Sequence, residues 1–283
     1  MAGGRKKSKD ASASVKAYLA VYNVACMVGW AIVYYQVIAH LVGALDGNFG
    51  DLEAWKGALA GVFAAVKPLL TYVQMAAILE ILHAREILGF VKSDAFTASM
   101  QVISRVVVLV VCLASPSSAN AWHGGTMVMA WCTVEVPRYA FYLVSLVKDP
   151  AEGITATPYP LYWYRYSAFS VLYPVGITSE LLCEWAAYSQ YGAELSTFTG
   201  LAPVGAAIAP FIRPFILFAF AVYVPGAPYL FMHMVSARKS GMKKYAASGS
   251  AASVDVKALQ TQIEKLTAKI GHLEKENKKL KKQ

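Results

Sequence analysis

The chain has 283 residues, 57% of them hydrophobic and only 15% charged. That is too apolar for a soluble domain of this length, so the chain reads as an integral membrane protein. The net charge is +9, but Lys and Arg gather at the termini. This pattern speaks for membrane topology and anionic lipid rather than a nucleic-acid surface.

Residues 1–15 are small, polar and basic (Arg5, Lys6, Lys7, Lys9), the composition of a disordered cytosolic tail. The apolar run from about Lys16 to Leu45 is long enough to span a bilayer and too long for the core of a cleavable leader. An acidic link with Asp46, Asp51 and Glu53 follows. A second helix is expected between Ala58 and Leu88, with a kink at Lys67-Pro68 near one end. The third covers about Ala95 to Ala114 and stops at Ser115-Pro116. The fourth runs from about Ala121 to Val147, closed by Lys148-Asp149-Pro150. A Pro/Tyr-rich linker leads to the fifth, about Leu161 to Ser189. The sixth runs from about Pro210 to Ser236, its second half bent by Pro225 and Pro228.

The expected fold is therefore all-α integral membrane, a six-transmembrane-helix bundle over residues 16–238. Charge sets its orientation. The N-terminal tail, the Arg85–Lys92 link, the link at Lys148 and the Arg238–Lys244 segment are basic. The links between them are acidic or lack Lys and Arg. Such alternation places both termini in the cytosol. After a linker at 239–253, residues 254–283 form a C-terminal cytosolic coiled-coil helix. Val256, Ile263 and Ile270 fall at a positions, and Leu259, Leu266, Leu273 and Leu280 at d. β-branched a with Leu at d favours a parallel two-stranded coil, with Asn277 at a fixing register. Lys269 with Glu274, and Glu276 with Lys281, have opposite signs at g and the following e′. A homodimer is the expected product, with a single solvated helix or a site for a different protein as the alternatives. The last five residues, Lys279 to Gln283, fit a K-x-K-x-x pattern that resembles cytosolic retrieval signals of endoplasmic reticulum membrane proteins.

Cys26, Cys112, Cys132 and Cys183 all lie in apolar runs without motif spacing, so they read as core residues, not disulfides or zinc ligands. Glu80 with His83 gives too few ligands for a metal. Among the other intramembrane charges, Arg105, Arg165, Arg213 and Glu184 are expected either to pair with another charge or to snorkel near helix ends. Glu135 and Arg138, at i, i+3, suit an ion pair or the lining of an internal cavity. Cys132 and Arg138 also have the C-x5-R spacing of tyrosine phosphatases. That chemistry needs a phosphate-cradling loop at a helix N-terminus, and here the intervening residues are helical and include an acid.

Tyr173 and Glu180 carry the strongest chemical signal. Seven residues apart, they differ by about 10.5 Å of rise and about 20° of rotation, so both face the same way. A carboxyl at membrane depth costs roughly 2.5–3.5 kcal/mol or more and marks a functional site. Pro174 frees the carbonyl of Ser170, and Gly176 leaves room for a chain to approach. Tyr166 and Phe169 lie on nearly the same face.

The motifs Leu79-Glu-Ile-Leu-His-Ala84, Ser104-Arg105, Trp131-x3-Glu135-x2-Arg138-Tyr139-x-Phe141-Tyr142 and Arg165-Tyr166-x2-Phe169-x2-Leu172-Tyr173-Pro174-x-Gly176-x3-Glu180 together resemble the very-long-chain 3-hydroxyacyl-CoA dehydratase family, once labelled protein tyrosine phosphatase-like. With a weaker match at Tyr18 to Asn23, the resemblance covers about Tyr18 to Ser236. It implies a six-span endoplasmic reticulum enzyme that removes water from (3R)-3-hydroxyacyl-CoA without a cofactor or metal. It also implies partner enzymes of fatty acid elongation and surrounding membrane lipid. The family's catalytic pair falls on Tyr173 and Glu180, and its supporting Arg and Gly on Arg165 and Gly176. Glu135, Arg138 and Tyr139 are expected to support the site, and Arg105, Tyr166 and Phe169 to contact substrate. Pro137, before Arg138, departs from the family pattern. A straight helix keeps Tyr173 and Glu180 apart, so either the Pro174–Gly176 segment bends or something bridges them. Tyr173 as proton donor with Glu180 as base, and the reverse, both remain open. A proton-coupled transporter and an inert scaffold are the alternatives.

Overall fold

The computed structural model describes residues 12–147, 156–193 and 202–280. The basic N-terminal residues, Lys148-Asp149-Pro150, part of the link before the sixth expected helix and the end of the lysine pattern lie outside them. The described residues form helices joined by short links, with no strand among them.

Helix α1 (Ala13–Leu45) starts where Ser12 Oγ accepts from Val15 N at 3.4 Å and stops at Asp46, which turns left-handed at φ 42°. Helix α2 (Leu52–Ala76) is capped by Asp51, whose carboxylate accepts from Glu53 N at 2.9 Å. This start precedes the expected one, so Pro68 lies inside the helix rather than near its end. After a break at Ala77, helix α3 (Ile78–His83) continues. Helix α4 (Ala95–Ala114) covers the expected span. It is capped by Asp94 at its start, and Glu86 accepts from Ala95 N at 2.9 Å. These backbone N–H bonds hold both exposed carboxyls below their ordinary ionisation range. A short turn, α5 (Pro116–Ala119), leads to α6 (Trp122–Val147). The fifth expected helix is split at Ala168 into α7 (Tyr159–Ser167) and α8 (Phe169–Ala193), while Pro174 lies within α8. Helix α9 (Ala202–Leu280) is unbroken, so the residues expected as a linker at 239–253 are helical.

Among the described residues, four stretches are long and apolar enough to cross a membrane by length and composition: Ala13–Leu45, Leu52–His83, Ala95–Ala114 and Arg213–Ser248. The protein is thus an all-helical chain with multi-pass membrane character. Helices α6 and α8 fall outside that set and carry interior charges, Glu135 and Arg138 on α6 and Glu180 and Glu184 on α8.

Helix α6 is the hub, packing on α1, α2 and α8, while α8 also meets α4, α5 and α9. Val33, Val37, Leu41 and Leu45 bury one face of α1 at four-residue spacing. Tyr35, Ile38 and Val42 on its other side are apolar and exposed. A helix apolar all round suits a membrane, not water. The α2–α6 contact depends on Gly125, where a Cβ atom would lie 2.2 Å from the Leu59 carbonyl oxygen. Only glycine lets the two backbones meet there.

Candidate active site

Trp131, Glu135 and Arg138 follow at i, i+4 and i+7 on α6, so one stripe of this central helix points into the bundle. Glu135 is 2% exposed. It accepts from Arg105 of α4 on one side and from Arg138 Nε at 2.7 Å on the other. The Arg138 fork grips Glu80 of α3 through two bonds of 2.6 and 2.7 Å. Tyr139 also donates to Glu80, at 2.5 Å. Two guanidinium groups and two carboxylates thus form one chain, Arg105–Glu135–Arg138–Glu80, linking three helices. Bidentate pairing satisfies buried charges that would otherwise be very costly.

The expected Glu135–Arg138 pair is present, as part of this larger network. Arg105 does not snorkel. It sits midway along α4 and pairs with Glu135 of α6. Pro137 also finds a local account. Having no N–H, it leaves the Thr133 carbonyl without its helical donor, and Tyr164 of α7 donates to that oxygen at 2.9 Å. The departure from the family pattern thereby ties α6 to α7 and leaves Arg138 in its ion pairs.

A second polar centre lies beside the first. Glu180, buried on α8, accepts from Trp131 Nε1 and from Tyr223 of α9, both at 2.8 Å. The Arg105 guanidinium lies 5.6 Å above the Trp131 ring. Trp131 therefore stands between the ion-pair chain and the Glu180 carboxyl. One turn further along α8, Glu184 is 0% exposed, and among the described residues neither of its carboxyl oxygens has a hydrogen-bond partner. It does not snorkel either, because α4 and α9 cover that part of α8.

Tyr173 points elsewhere. Its hydroxyl donates to the Ala227 carbonyl of α9 at 3.1 Å, and its ring lies 6.1 Å from Phe231. Phe169 packs on the same Phe231 ring at 5.5 Å. Among the described residues no hydrogen bond joins Tyr173 to Glu180. Gly176 faces Ala130 of α6, where an added Cβ would find ordinary contact at 3.9 Å. Tyr166 is engaged in packing with Phe141, Tyr162 and Gly241. Arg165 has no carboxylate partner among the described residues. It donates to Tyr142 at 3.1 Å, and its guanidinium lies over the Tyr142 and Tyr166 rings. His83 hydrogen-bonds Tyr18 at 2.9 Å, apart from Glu80's ion pair. Cys132 is fully buried inside α6, and Arg138 is turned onto carboxylates, so the C-x5-R spacing forms no phosphate cradle.

Glu80, Trp131 and Tyr223 are absent from the site read off the sequence. Trp131 carries a periodic signal, one turn before Glu135. Tyr223 carries none, being one aromatic residue in an apolar run until α9 packs on α8.

A family model described as protein tyrosine phosphatase-like protein, PTPLA, matches residues 74–244, which include every residue of both polar centres. The chain belongs to this family. Relatives of the family extend the match over most of the chain. The very-long-chain (3R)-3-hydroxyacyl-CoA dehydratase hpo-8 of Caenorhabditis elegans is 34% identical over 80% of this chain and 94% of its own length. The rice enzyme of the same activity, PASTICCINO 2A, is 33% identical over 82% of this chain and 96% of its own. Mouse very-long-chain (3R)-3-hydroxyacyl-CoA dehydratase 2 is 29% identical over 83% and 84%. No solved structure matches the chain.

Proposed function

We propose that this chain removes water from (3R)-3-hydroxyacyl-CoA to give trans-2-enoyl-CoA, the dehydration step of very-long-chain fatty acid elongation. The observation that carries this reading is the Glu180 carboxyl, buried beside Arg105 and oriented by two donors, on the same helix as Tyr173. The activity carried in the names of the curated relatives supports it.

One group takes the C2 proton, and the C3 hydroxyl leaves as water once a second group protonates it. The C2–H electrons become the C2=C3 double bond. Each group must reach its atom at about 2.6–3.2 Å. Trp131 and Tyr223 fix the Glu180 oxygens, which leaves a carboxyl of set direction for the proton transfer. The Tyr173 phenol exchanges its bond to Ala227 for one to the substrate hydroxyl, so the substrate itself bridges the two residues. Tyr173 as acid and Glu180 as base is the preferred assignment. Arg105 and Arg165 supply positive charge for the enolate and for CoA phosphate, and Phe169 borders the acyl path near Tyr173. Glu135, Arg138 and Tyr139 hold Arg105 in place.

The same reading makes α6 and the α7–α8 pair membrane spans, for six in all, within a catalytic domain of residues 16–238 in the endoplasmic reticulum membrane. Both termini are cytosolic, other elongation enzymes are partners, and residues 254–283 form the coiled-coil tail. Helix α6 has 26 residues, about 39 Å at 1.5 Å per residue, which is enough to cross.

The test is turnover of 3-hydroxyacyl-CoAs of several chain lengths by purified protein. Tyr173→Phe and Glu180→Gln should abolish it while the protein stays folded. Full activity in either variant sinks the assignment.

A further inference from the structure

Helix α9 ends in a segment that the active site does not use. The helix is held to the bundle as far as Tyr245, whose hydroxyl donates to Thr157 O at 3.1 Å. The same ring packs on Tyr159 at 5.4 Å and on Tyr162 at 4.6 Å. The helix then continues to Leu280, about 50 Å further at 1.5 Å per residue. Along this stretch Ile263, Leu266 and Ile270 are 60%, 61% and 56% exposed. Apolar exposure on α1 or α4 suits lipid. Here it does not, because the segment lies beyond Arg238, Lys239, Lys243 and Lys244, and nine of the 25 residues from Val256 to Leu280 are Lys or Glu.

We infer that two copies of this chain pair through residues 256–280 of α9 as a parallel, in-register coiled coil. Three independent features select a second copy as the occupant. The a and d composition favours two parallel strands over higher assemblies. In parallel register, heptad spacing sets Lys269 of each copy against Glu274 of the other, so the flanking charges complement themselves. The membrane imposes the same arrangement. Two copies in one bilayer send their tails out of the same face, in the same direction and from the same depth. Parallel in-register pairing then needs no distortion. Antiparallel pairing would put the two bundles at opposite ends of a rod lying on the membrane. The inference rests on the membrane topology proposed above but not on the dehydration chemistry, so either can fail alone.

The full-length protein, purified in detergent and in lipid nanodiscs, tests the inference. The native cysteines are buried in the bundle, so a cysteine placed on the tail reports alone. Leu266→Cys, at a d position, should cross-link to its equivalent under mild oxidation and give a homodimer. Ala268→Cys, at the outward f position, should not. The double variant Leu266→Asp/Ile270→Asp should lower the protein mass measured by sedimentation by about half and leave dehydration activity at the level of the parent. Three results would each overturn the inference. One is a monomeric parent protein that gives no Leu266→Cys cross-link. Another is a dimer that persists in the double variant. The third is a Leu266→Cys product in native membranes that contains a different protein.

Discussion

Glu180 and Glu184 are the same residue type one turn apart, yet their surroundings differ. Among the described residues, Glu180 has two donors and Glu184 has none. Removing one donor to Glu180 should therefore cost catalysis as well as stability. Trp131→Phe keeps a ring beneath Arg105 but loses the N–H to Glu180. Hydrogen bonds to charged groups contribute about 1.5–3 kcal/mol, so kcat should fall by roughly 10- to 150-fold. KM should hardly move, and the melting temperature should fall as well, because the bond lies between two buried residues; steady-state kinetics of the folded variant beside a melting curve separate the two effects. The carboxylates also differ in what their loss does to the fold. Glu135→Gln leaves Arg105 and Arg138 short of a buried partner and should destabilise by about 3–5 kcal/mol. Glu184→Leu removes a buried carboxyl that has no partner, so it should be neutral or stabilising by about 1–3 kcal/mol. Unfolding midpoints in detergent check both. A large loss from Glu184→Leu would show that the carboxyl gains something from its surroundings after all.

At the scale of helices, local residue order predicts what tertiary contacts do not override. Helix α4 runs from Ala95 to Ala114 as read, because Asp94 caps it and Ser115-Pro116 ends it. The i, i+3 spacing of Glu135 and Arg138 makes their pairing legible. Their further partners are not legible, since Glu80 and Arg105 lie far away in sequence and meet α6 only in the packed bundle. The break at Ala168 was equally hidden, because Pro174 is the only strong helix breaker in that stretch, and the helix runs through it. Residues 239–253 look like a linker for their Gly and Ser, but Ala and Lys are strong enough helix formers to carry α9 onward. The Pro137 site shows how one helix defect becomes a contact. Tyr164→Phe should cost about 0.5–1.5 kcal/mol, the usual net contribution of a single hydrogen bond. After Pro137→Ala restores a backbone donor for Thr133, the same change at Tyr164 should cost almost nothing. A double-mutant cycle on unfolding free energy reads the coupling directly. Strictly additive effects would show that the Tyr164 hydroxyl does not depend on the missing N–H.

Across the whole molecule, the contacts between helix ends sort by charge. At one end, the link before α7 is joined to α9 just past its basic segment by Tyr245 and Thr157. Arg238 reaches Ser167 of α7 from the same part of α9, at 3.0 Å. The other end lacks such basic clusters. There Ser118 of α5 donates to Cys183 O at 2.6 Å, Ser115 bonds Gln190 near the end of α8, and Gly125 meets Leu59 near the start of α2. This sorting is what six spans with cytosolic termini require, since positive links stay on the cytosolic side. Four spans, with α6 and α7–α8 lying on one side, would give the same location for both termini and for residues 84–94, so labels there cannot separate the two topologies. Pro158, exposed at the start of α7, can. With six spans it is cytosolic, and with four it is lumenal. Pro158→Cys in sealed, cytosol-side-out vesicles should react with a membrane-impermeant maleimide without detergent. Ser117→Cys should react only after the membrane is opened. Protection of Pro158→Cys until permeabilisation would place α6 and α8 outside the bilayer and put Glu180 out of reach of a substrate entering from the cytosolic face.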